Sequence, residues 1–246
     1  MTKLHKTLRK RMVRTIREYR MIEPGDRILV GVSGGADSLT LLQLLADPYI
    51  RKTFAYDLFA LHINLGFRTR EKDGWPRLTS HFQEMGVPFQ ILHTTISAKA
   101  LDPDAKKNPC FICSLNRRRK VYETAHREGC QKIAYGHHKD DIVETLLINI
   151  LFGRKIEAMH PVQEVFQGSM HIIRPLATIE EEHLKRFASE SRLPVLPKIC
   201  PADSVSRRQK VKEIIARLQR EEKHANIREN IFKSLRHVNI PPGYTL

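Results

Sequence analysis

Acidic residues are scarce in this chain: over 246 residues, 27 Asp and Glu stand against 42 Lys and Arg, a formal charge of +15. So large a surplus points to a polyanionic partner, most simply nucleic acid. Long apolar runs are missing. No stretch approaches the ~20 residues of a membrane-spanning helix, and the start, Met-Thr-Lys-Leu-His-Lys, lacks the apolar h-region of a secretory signal. The expectation is a soluble, cytoplasmic protein with no membrane partner. Cysteine is limited to Cys110, Cys113, Cys130 and Cys200. In a reducing compartment, Cys-x-x-Cys reads as metal or redox chemistry rather than as a structural disulfide. There is no internal repeat and no low-complexity segment. The length suits one α/β domain with small appendages, and a hydrophobic content of 41% suffices for its core.

The most informative stretch is residues 27–38. Ile28, Leu29, Val30 and Val32 make a short apolar run that reads as a buried parallel strand. Ser33-Gly34-Gly35-Ala36-Asp37-Ser38 follows, and Leu39, Leu41, Leu42, Leu44 and Leu45 fit a helix ending near Asp47-Pro48. Adjacent glycines between a strand and a helix let backbone N–H groups converge on an anion, and the helix N-terminus adds positive dipole. The turn contains no lysine, so it is not a Walker A loop. It resembles instead the pyrophosphate loop, Ser-Gly-Gly-x-Asp-Ser, of the N-type ATP pyrophosphatases, which cleave ATP between its α and β phosphates.

Elsewhere the periodicity predicts an N-terminal helix over 3–21, with Leu4, Leu8, Met12 and Ile16 on one face and a strongly basic opposite face, placed either on the surface or against RNA. Further strands are predicted at 57–65, 87–93, 132–136 and around Ile172 and Ile173. Helices are predicted at 75–85, 110–128 with Ile112, Leu115, Tyr122 and Ala125 on one face, 141–152 (apolar enough to be buried) and 179–192. Residues 97–109 read as a polar loop. Residues 203–236 read as a charged helical segment with Val211, Ile214, Ile215 and Leu218 as its stripe. Strands alternating with helices predict a parallel sheet flanked by helices. The chain divides into a basic N-terminal helix (1–24), an ATP-binding α/β domain (25–200) and a C-terminal helical extension (201–246).

Three more constellations carry chemistry. In Gly136-His137-His138-Lys139-Asp140-Asp141, a strand end gives way to a helix start. Its carboxylates could hold Mg²⁺, or Asp141 with Glu144 could simply form a capping box. Cys110-x-x-Cys113 with Cys200 supplies three thiolates, enough for a [4Fe–4S] cluster with one iron open, or for zinc completed by a histidine. Cys130, after the helix-ending Gly129, reads as structural. Arg117-Arg118-Arg119-Lys120 stands on the helix of the Cys pair and could clamp ATP phosphates or an RNA backbone, or be a solvated face.

Together these features resemble the TtcA family of tRNA 2-thiocytidine synthetases, PP-loop ATP pyrophosphatases. The resemblance runs from Met21-Ile22-Glu23-Pro24-Gly25-Asp26 through the Ser33–Ser38 loop, the Cys pair and its arginines, and Gly136-His137-His138-x-Asp140-Asp141, to Pro194-x-x-Pro197 and the late cysteine. Two positions depart from the family pattern: Ala36 stands where a lysine is usual, and only Cys200 remains of a second Cys-x-x-Cys. The resemblance implies the adenine nucleotide α-hydrolase-like fold and a cytoplasmic, often dimeric enzyme dependent on ATP, Mg²⁺ and a [4Fe–4S] cluster. That enzyme thiolates tRNA with sulfur from sulfide or a cysteine desulfurase. On this reading Ser33, Gly34, Gly35, Asp37 and Ser38 hold pyrophosphate, with Gly136 and Arg118 beside it. Asp37 and Asp141 are catalytic, His62 and Ile63 lie near adenine, and Cys110, Cys113 and Cys200 ligate the cluster. The alternatives are a lysidine-type synthetase with structural zinc and a non-catalytic nucleotide-binding RNA module.

Overall fold

The computed structural model describes residues 1–67, 74–197, 200 and 207–238. In chain order they form α1 (Lys3–Glu18), β1 (Arg27–Gly31), α2 (Ala36–Leu45), α3 (Pro48–Phe54), β2 (Asp57–Asn64), α4 (Gly74–Glu84), β3 (Phe89–His93), α5 (Ile96–Ala100), α6 (Pro109–Arg127), β4 (Lys132–Ala134), α7 (Lys139–Gly153), β5 (Val162–Val165), β6 (Met170–Ile173), α8 (Glu181–Glu190), α9 (Arg207–Glu221) and α10 (Ile227–Ser234). Two units emerge: Met1–His138 with His160–Ala202, and Lys139–Met159 with Asp203–Leu246. The expected boundary at residue 201 lies outside the described residues.

The first unit holds a six-stranded sheet in the order β3-β2-β1-β4-β6-β5. β1 pairs in parallel with β2 and β4, β2 with β3, and β4 with β6. Side-chain alternation decides the layers. Ile28, Val30, Leu58 and Ala60 face a core shared with α1, α2 and α8, whereas Leu29, Phe59, Leu61 and Ile133 face α5 and α6. Leu8, Met12 and Ile16 of α1 are fully buried, each contributing roughly 1.5–3 kcal/mol. The amphipathic spacing is thus fulfilled by packing into the main core.

Part of the basic face of α1 is also engaged. Arg11 donates from Nη1 and Nη2 to the two carboxylate oxygens of Glu180 at 2.5 and 3.1 Å, and the hydroxyls of Thr15 and Thr178 meet at 2.5 Å. Both ends of the ion pair are about one-third exposed, so solvent discounts it. Arg11→Ala should cost about 1 kcal/mol, a drop of roughly 2–4 °C in Tm for a chain of this size. A thermal melt unchanged from wild type would show that water already replaces the pair.

The structure corrects several expectations. The sheet is not wholly parallel: β5 runs antiparallel to β6. The two are joined by a turn with positive φ at Phe166, Gln167 and Gly168. Val-Gln-Glu-Val is short and half polar, as an edge strand tolerates, and so left no apolar signature. The polar loop expected from residue 97 begins as α5, and α3 starts on the Asp47-Pro48 that ends the preceding helix. Asp47 caps it, its Oδ1 accepting from Tyr49 N at 2.8 Å. Leu115 is exposed rather than packed, because α6 buries Val121, Thr124 and Ala125, nearer its C-terminus.

In the second unit, α7 buries Ile142, Val143 and Leu146 but exposes Ile150, Leu151 and Phe152. A helix apolar on every side needs neighbours on every side, and within this unit α9 and α10 supply only some. The charged C-terminal stretch is two helices. Gln219 stops the first by donating from Nε2 to the carbonyls of Glu222 and Ala225, while Asn226 caps the second by accepting from Glu229 N at 3.0 Å. Val211 and Ile215 are buried against Val143. Ile214 and Leu218, expected on the same stripe, are exposed.

Candidate functional site

Parallel pairing puts the carboxyl ends of β1, β2, β3, β4 and β6 along one edge, where open α/β sheets bind ligands. The Ser33–Ser38 turn sits there, between β1 and α2. Its shape is fixed internally. Ser38 Oγ accepts from Ser33 N at 3.1 Å and donates to Gly35 O at 3.0 Å, and the two serine hydroxyls lie 3.0 Å apart. Ser38 is buried by this work, whereas Ser33 stands exposed on the rim. Gly34 takes φ +87°, the left-handed region that favours glycine, and its carbonyl accepts from Leu196 N at 2.9 Å. A Cβ there would stand 2.6 Å from Leu196 Cδ1. Gly35 is the N-cap of α2 and has no side chain to cap it, and its N–H donates to Ser33 Oγ at 3.3 Å. The turn therefore sets backbone N–H groups and serine hydroxyls at the positive end of a helix dipole, the make-up of a candidate anion seat.

Three elements brace the seat. Gly136, just beyond β4, lies so close that a Cβ would approach Ser38 N to 2.9 Å and Asp37 C to 3.0 Å. Gly31 packs on the Tyr135 ring, where a Cβ would meet Cε1 at 2.8 Å. His62 is buried behind the turn and donates from Nδ1 to Val32 O at 2.8 Å. Burial lowers its pKa to about 4, against the pull of that carbonyl, so the ring is neutral near pH 7. Ile63, its neighbour on β2, packs on the opposite side of the sheet with Leu61. Asp37, in the first turn of α2, is one-third exposed, and its Oδ2 lies 3.8 Å from Nε2 of the buried His138.

Arg174 and Leu196 are not candidates from the sequence, whereas Tyr135 opens the Tyr135-Gly136-His137-His138 run. Arg174 is buried and donates from Nε to His137 Nδ1 at 3.2 Å and from Nη1 to His160 O at 2.5 Å. Burial, first of all, pushes the Tyr135 hydroxyl up to about 12, with Arg117, Arg118 and Arg174 pulling the other way. The positive charge of the α6 arginines is thus felt at the end of β4. Leu196 had a signal, since Pro194 and Pro197 flank it.

The three candidate metal-binding cysteines belong to this unit as well. Pro109 opens α6, and Asn108 caps it by accepting from Cys110 N at 2.9 Å. Cys110 and Cys200 are exposed and Cys113 is half-buried. Burial chiefly, then the sulfurs of Cys200 and Cys110, raise the Cys113 thiol pKa, with Arg117 partly opposing them. The thiolate-favouring helix terminus is therefore outweighed at Cys113. The mutual effect places Cys200 near a pair far away in sequence. Thiolates are a fitting donor set for a metal group, which binds them in place of their protons. Among the described residues no group of three His, Cys, Asp or Glu is gathered as a single-ion site. Cys130 is buried apart from them, its thiol pushed up to about 11 mainly by burial.

In the second unit the acidic pair at the start of α7 is held by arginines. Asp141 Oδ1 accepts from Arg208 at 2.5 Å and Asp140 Oδ1 from Arg228 at 2.9 Å. Arg208 also reaches the buried Glu144 at 3.0 Å, with Lys212 at 3.6 Å. Burial raises the Glu144 pKa against both cations.

Comparison with known proteins matches residues 4–217 to the PP-loop domain family. The tRNA-cytidine(32) 2-sulfurtransferase of Anaeromyxobacter sp. (strain Fw109-5) is 37% identical over 96% of this chain and 77% of its own. That of Nitrosospira multiformis is 36% identical over 99% and 80%. Among solved structures, the U34-tRNA thiolase NcsA from Methanococcus maripaludis, with its [4Fe-4S] cluster, superposes with a TM-score of 0.75 at 24% identity, over 96% of this chain and 81% of that one. It attests to the fold.

Proposed function

The chain belongs to the PP-loop family together with the tRNA-cytidine(32) 2-sulfurtransferases, and from that membership we propose that it replaces the 2-oxygen of a cytidine in tRNA, position 32 as in those relatives, by sulfur. The observation that carries this reading is the presence in one unit of the Ser33–Ser38 turn, braced by Gly136, and of Cys110, Cys113 and Cys200, with Cys200 acting electrostatically on Cys113.

A carbonyl oxygen is a poor leaving group, so it is activated first. The base oxygen attacks the α-phosphorus of ATP, pyrophosphate departs, and the oxygen becomes part of an AMP ester. Sulfide-level sulfur then forms the C–S bond while the C–O bond to AMP breaks. The N–H groups of Gly34 and Gly35 and the α2 dipole hold the departing pyrophosphate, with Ser33 at the rim. Ser38 keeps the turn in shape. His62 supports the Val32 carbonyl from behind, and adenine occupies the β2 end beside it and Ile63. Asp37 would hold Mg²⁺ with phosphate oxygens. Asp141, the other carboxylate of the proposed catalytic pair, is held by Arg208 within the second unit. Arg118 neutralises charge on the nucleotide from α6.

Cys110, Cys113 and Cys200 would hold the [4Fe–4S] cluster, which supplies an iron free of protein thiolates for binding the incoming sulfur. Thiolates suit zinc as well as an iron–sulfur cluster; kinship with tRNA sulfurtransferases, whose reaction needs a site to carry sulfur, favours the cluster. Sulfide or a cysteine desulfurase is the donor, and the reaction is cytoplasmic, where tRNA is. The exposed Ile150, Leu151, Phe152, Ile214 and Leu218 of the second unit offer a face for a homodimer.

The test is anaerobic incubation with tRNA, ATP, Mg²⁺ and sulfide, followed by nucleoside mass spectrometry. One 2-thiocytidine per tRNA, with matching AMP and pyrophosphate, is expected. ATP consumption that yields a lysine-bearing cytidine, or no change in the tRNA, would overturn the reading.

A further inference from the structure

Beside the nucleotide seat, on the same edge of the sheet, a second cleft of about 600 Å³ opens between the end of β3 and α6. We propose that it seats the sugar–phosphate backbone of the tRNA strand flanking the target nucleotide. This rests on the reading of the protein as a tRNA-modifying enzyme, and extends it by naming where the polynucleotide lies.

The location follows from topology. β3 is two strands from β1 in a parallel run, so the cleft lies on the order of 10 Å from the seat of the reaction. A bound strand running from one to the other stays on one edge of one unit. α6 lines the cleft and also carries Cys110 and Cys113 at its start, so the same helix would touch both the backbone and the sulfur site.

Lining chemistry identifies the ligand. Lys99, Arg119 and Lys120 line the cleft with Thr94, Thr95 and Asn116, and no carboxylate is among the lining residues. Arg119 and Lys120 share one acid, Glu123, at 2.7 Å each. Lys99 has no ion-pair partner among the described residues, and neither have Arg117 and Arg118 farther up the helix. A plainly solvated helix face on this protein looks different: on α8, Lys185 pairs with Glu181 and Arg186 with Glu190, one acid to each base. Three lining cations against one neighbouring carboxylate is the composition of a surface awaiting a polyanion. ATP is already provided for at the Ser33–Ser38 turn. Hydroxyl and amide groups interleaved with the cations suit phosphate and ribose oxygens, contacts that position a strand without reading its sequence.

The experiment compares wild type with Lys99→Gln/Arg119→Gln/Lys120→Gln, using the full chain and unmodified tRNA. Binding is measured over a salt series, ATP binding separately, and thiolation as KM and kcat for tRNA. Three lost phosphate contacts should flatten the slope of log K against log salt by about 2. That corresponds to an affinity about 100-fold weaker at 0.1 M salt. KM for tRNA should rise, while kcat at saturating tRNA and ATP affinity hold. Lys99→Gln alone should give about one-third of the slope change, which keeps the test open should the triple variant fold poorly. A wild-type slope and KM would overturn the proposal. So would a parallel loss of ATP affinity, which would give the cleft to the nucleotide. If wild type makes no thiolated base, the function fails while the salt slopes still judge the cleft.

Discussion

Alanine at Cys110, Cys113 or Cys200, one at a time, is expected to abolish sulfur transfer and strip the protein of iron. Wild type purified without oxygen should be brown, with about four irons and matching sulfide per chain, the stoichiometry of a [4Fe–4S] cluster. Each single variant should be colourless, because two thiolates do not retain the cluster. ATP binding should persist, since the nucleotide seat is built from a turn closed by its own serines and braced by Gly136 and Leu196. Cys130→Ala should keep the colour: that thiol is buried beyond the Gly129 turn and held protonated by burial. Iron and sulfide assays with visible absorption decide the matter. Colourless anaerobic wild type with one tightly bound zinc would refute the cluster and make the cysteine site structural.

The second large effect is expected at Gly136. Its own backbone is not in the left-handed region, so alanine is no local strain. The added Cβ would nevertheless meet the backbone of Asp37 and Ser38 at 2.9–3.0 Å, and backbone cannot swing aside as a side-chain tip can. The turn must shift by a substantial fraction of an ångström, and displacements of that order in a positioned site cost about 100-fold in rate, or about 2.7 kcal/mol of transition-state stabilisation. Gly136→Ala should lower tRNA-dependent pyrophosphate release by about that factor, with Tm moved only modestly. Wild-type turnover would mean the turn has room that the close approach denies.

Several features reached the surface of the sequence because they are local. The Ser33–Ser38 seat is written in six consecutive residues whose hydroxyls and glycines close on one another. The buried strands β1 and β2 announce themselves as apolar runs, and α1 through a four-residue spacing that ends at zero exposure for Leu8, Met12 and Ile16. Expectations failed where a segment depends on what it meets. α7 is largely apolar beyond its acidic first turn, yet exposes its C-terminal turns because its neighbours cover only part of it. β5 is an edge strand whose pairing comes from β6 rather than from its composition.

The sequence by itself determined that this protein has an anion-binding turn between a strand and a helix, a paired cysteine motif, and a basic surplus in need of a polyanion. Each follows from residue identity and short spacing, which survive in an unfolded chain. Only the tertiary structure decided what stands around them. Gly136 against the backbone of Ser38, Leu196 under Gly34, Cys200 within electrostatic reach of Cys113, and Arg174 on His137 each join residues far apart in the chain. Arginines, too, hold Asp140 and Asp141, the pair that reads in sequence as a metal site. Such contacts are fixed by the parallel strand order, which brings the carboxyl ends of distant strands to one edge, and a one-dimensional pattern does not encode that order.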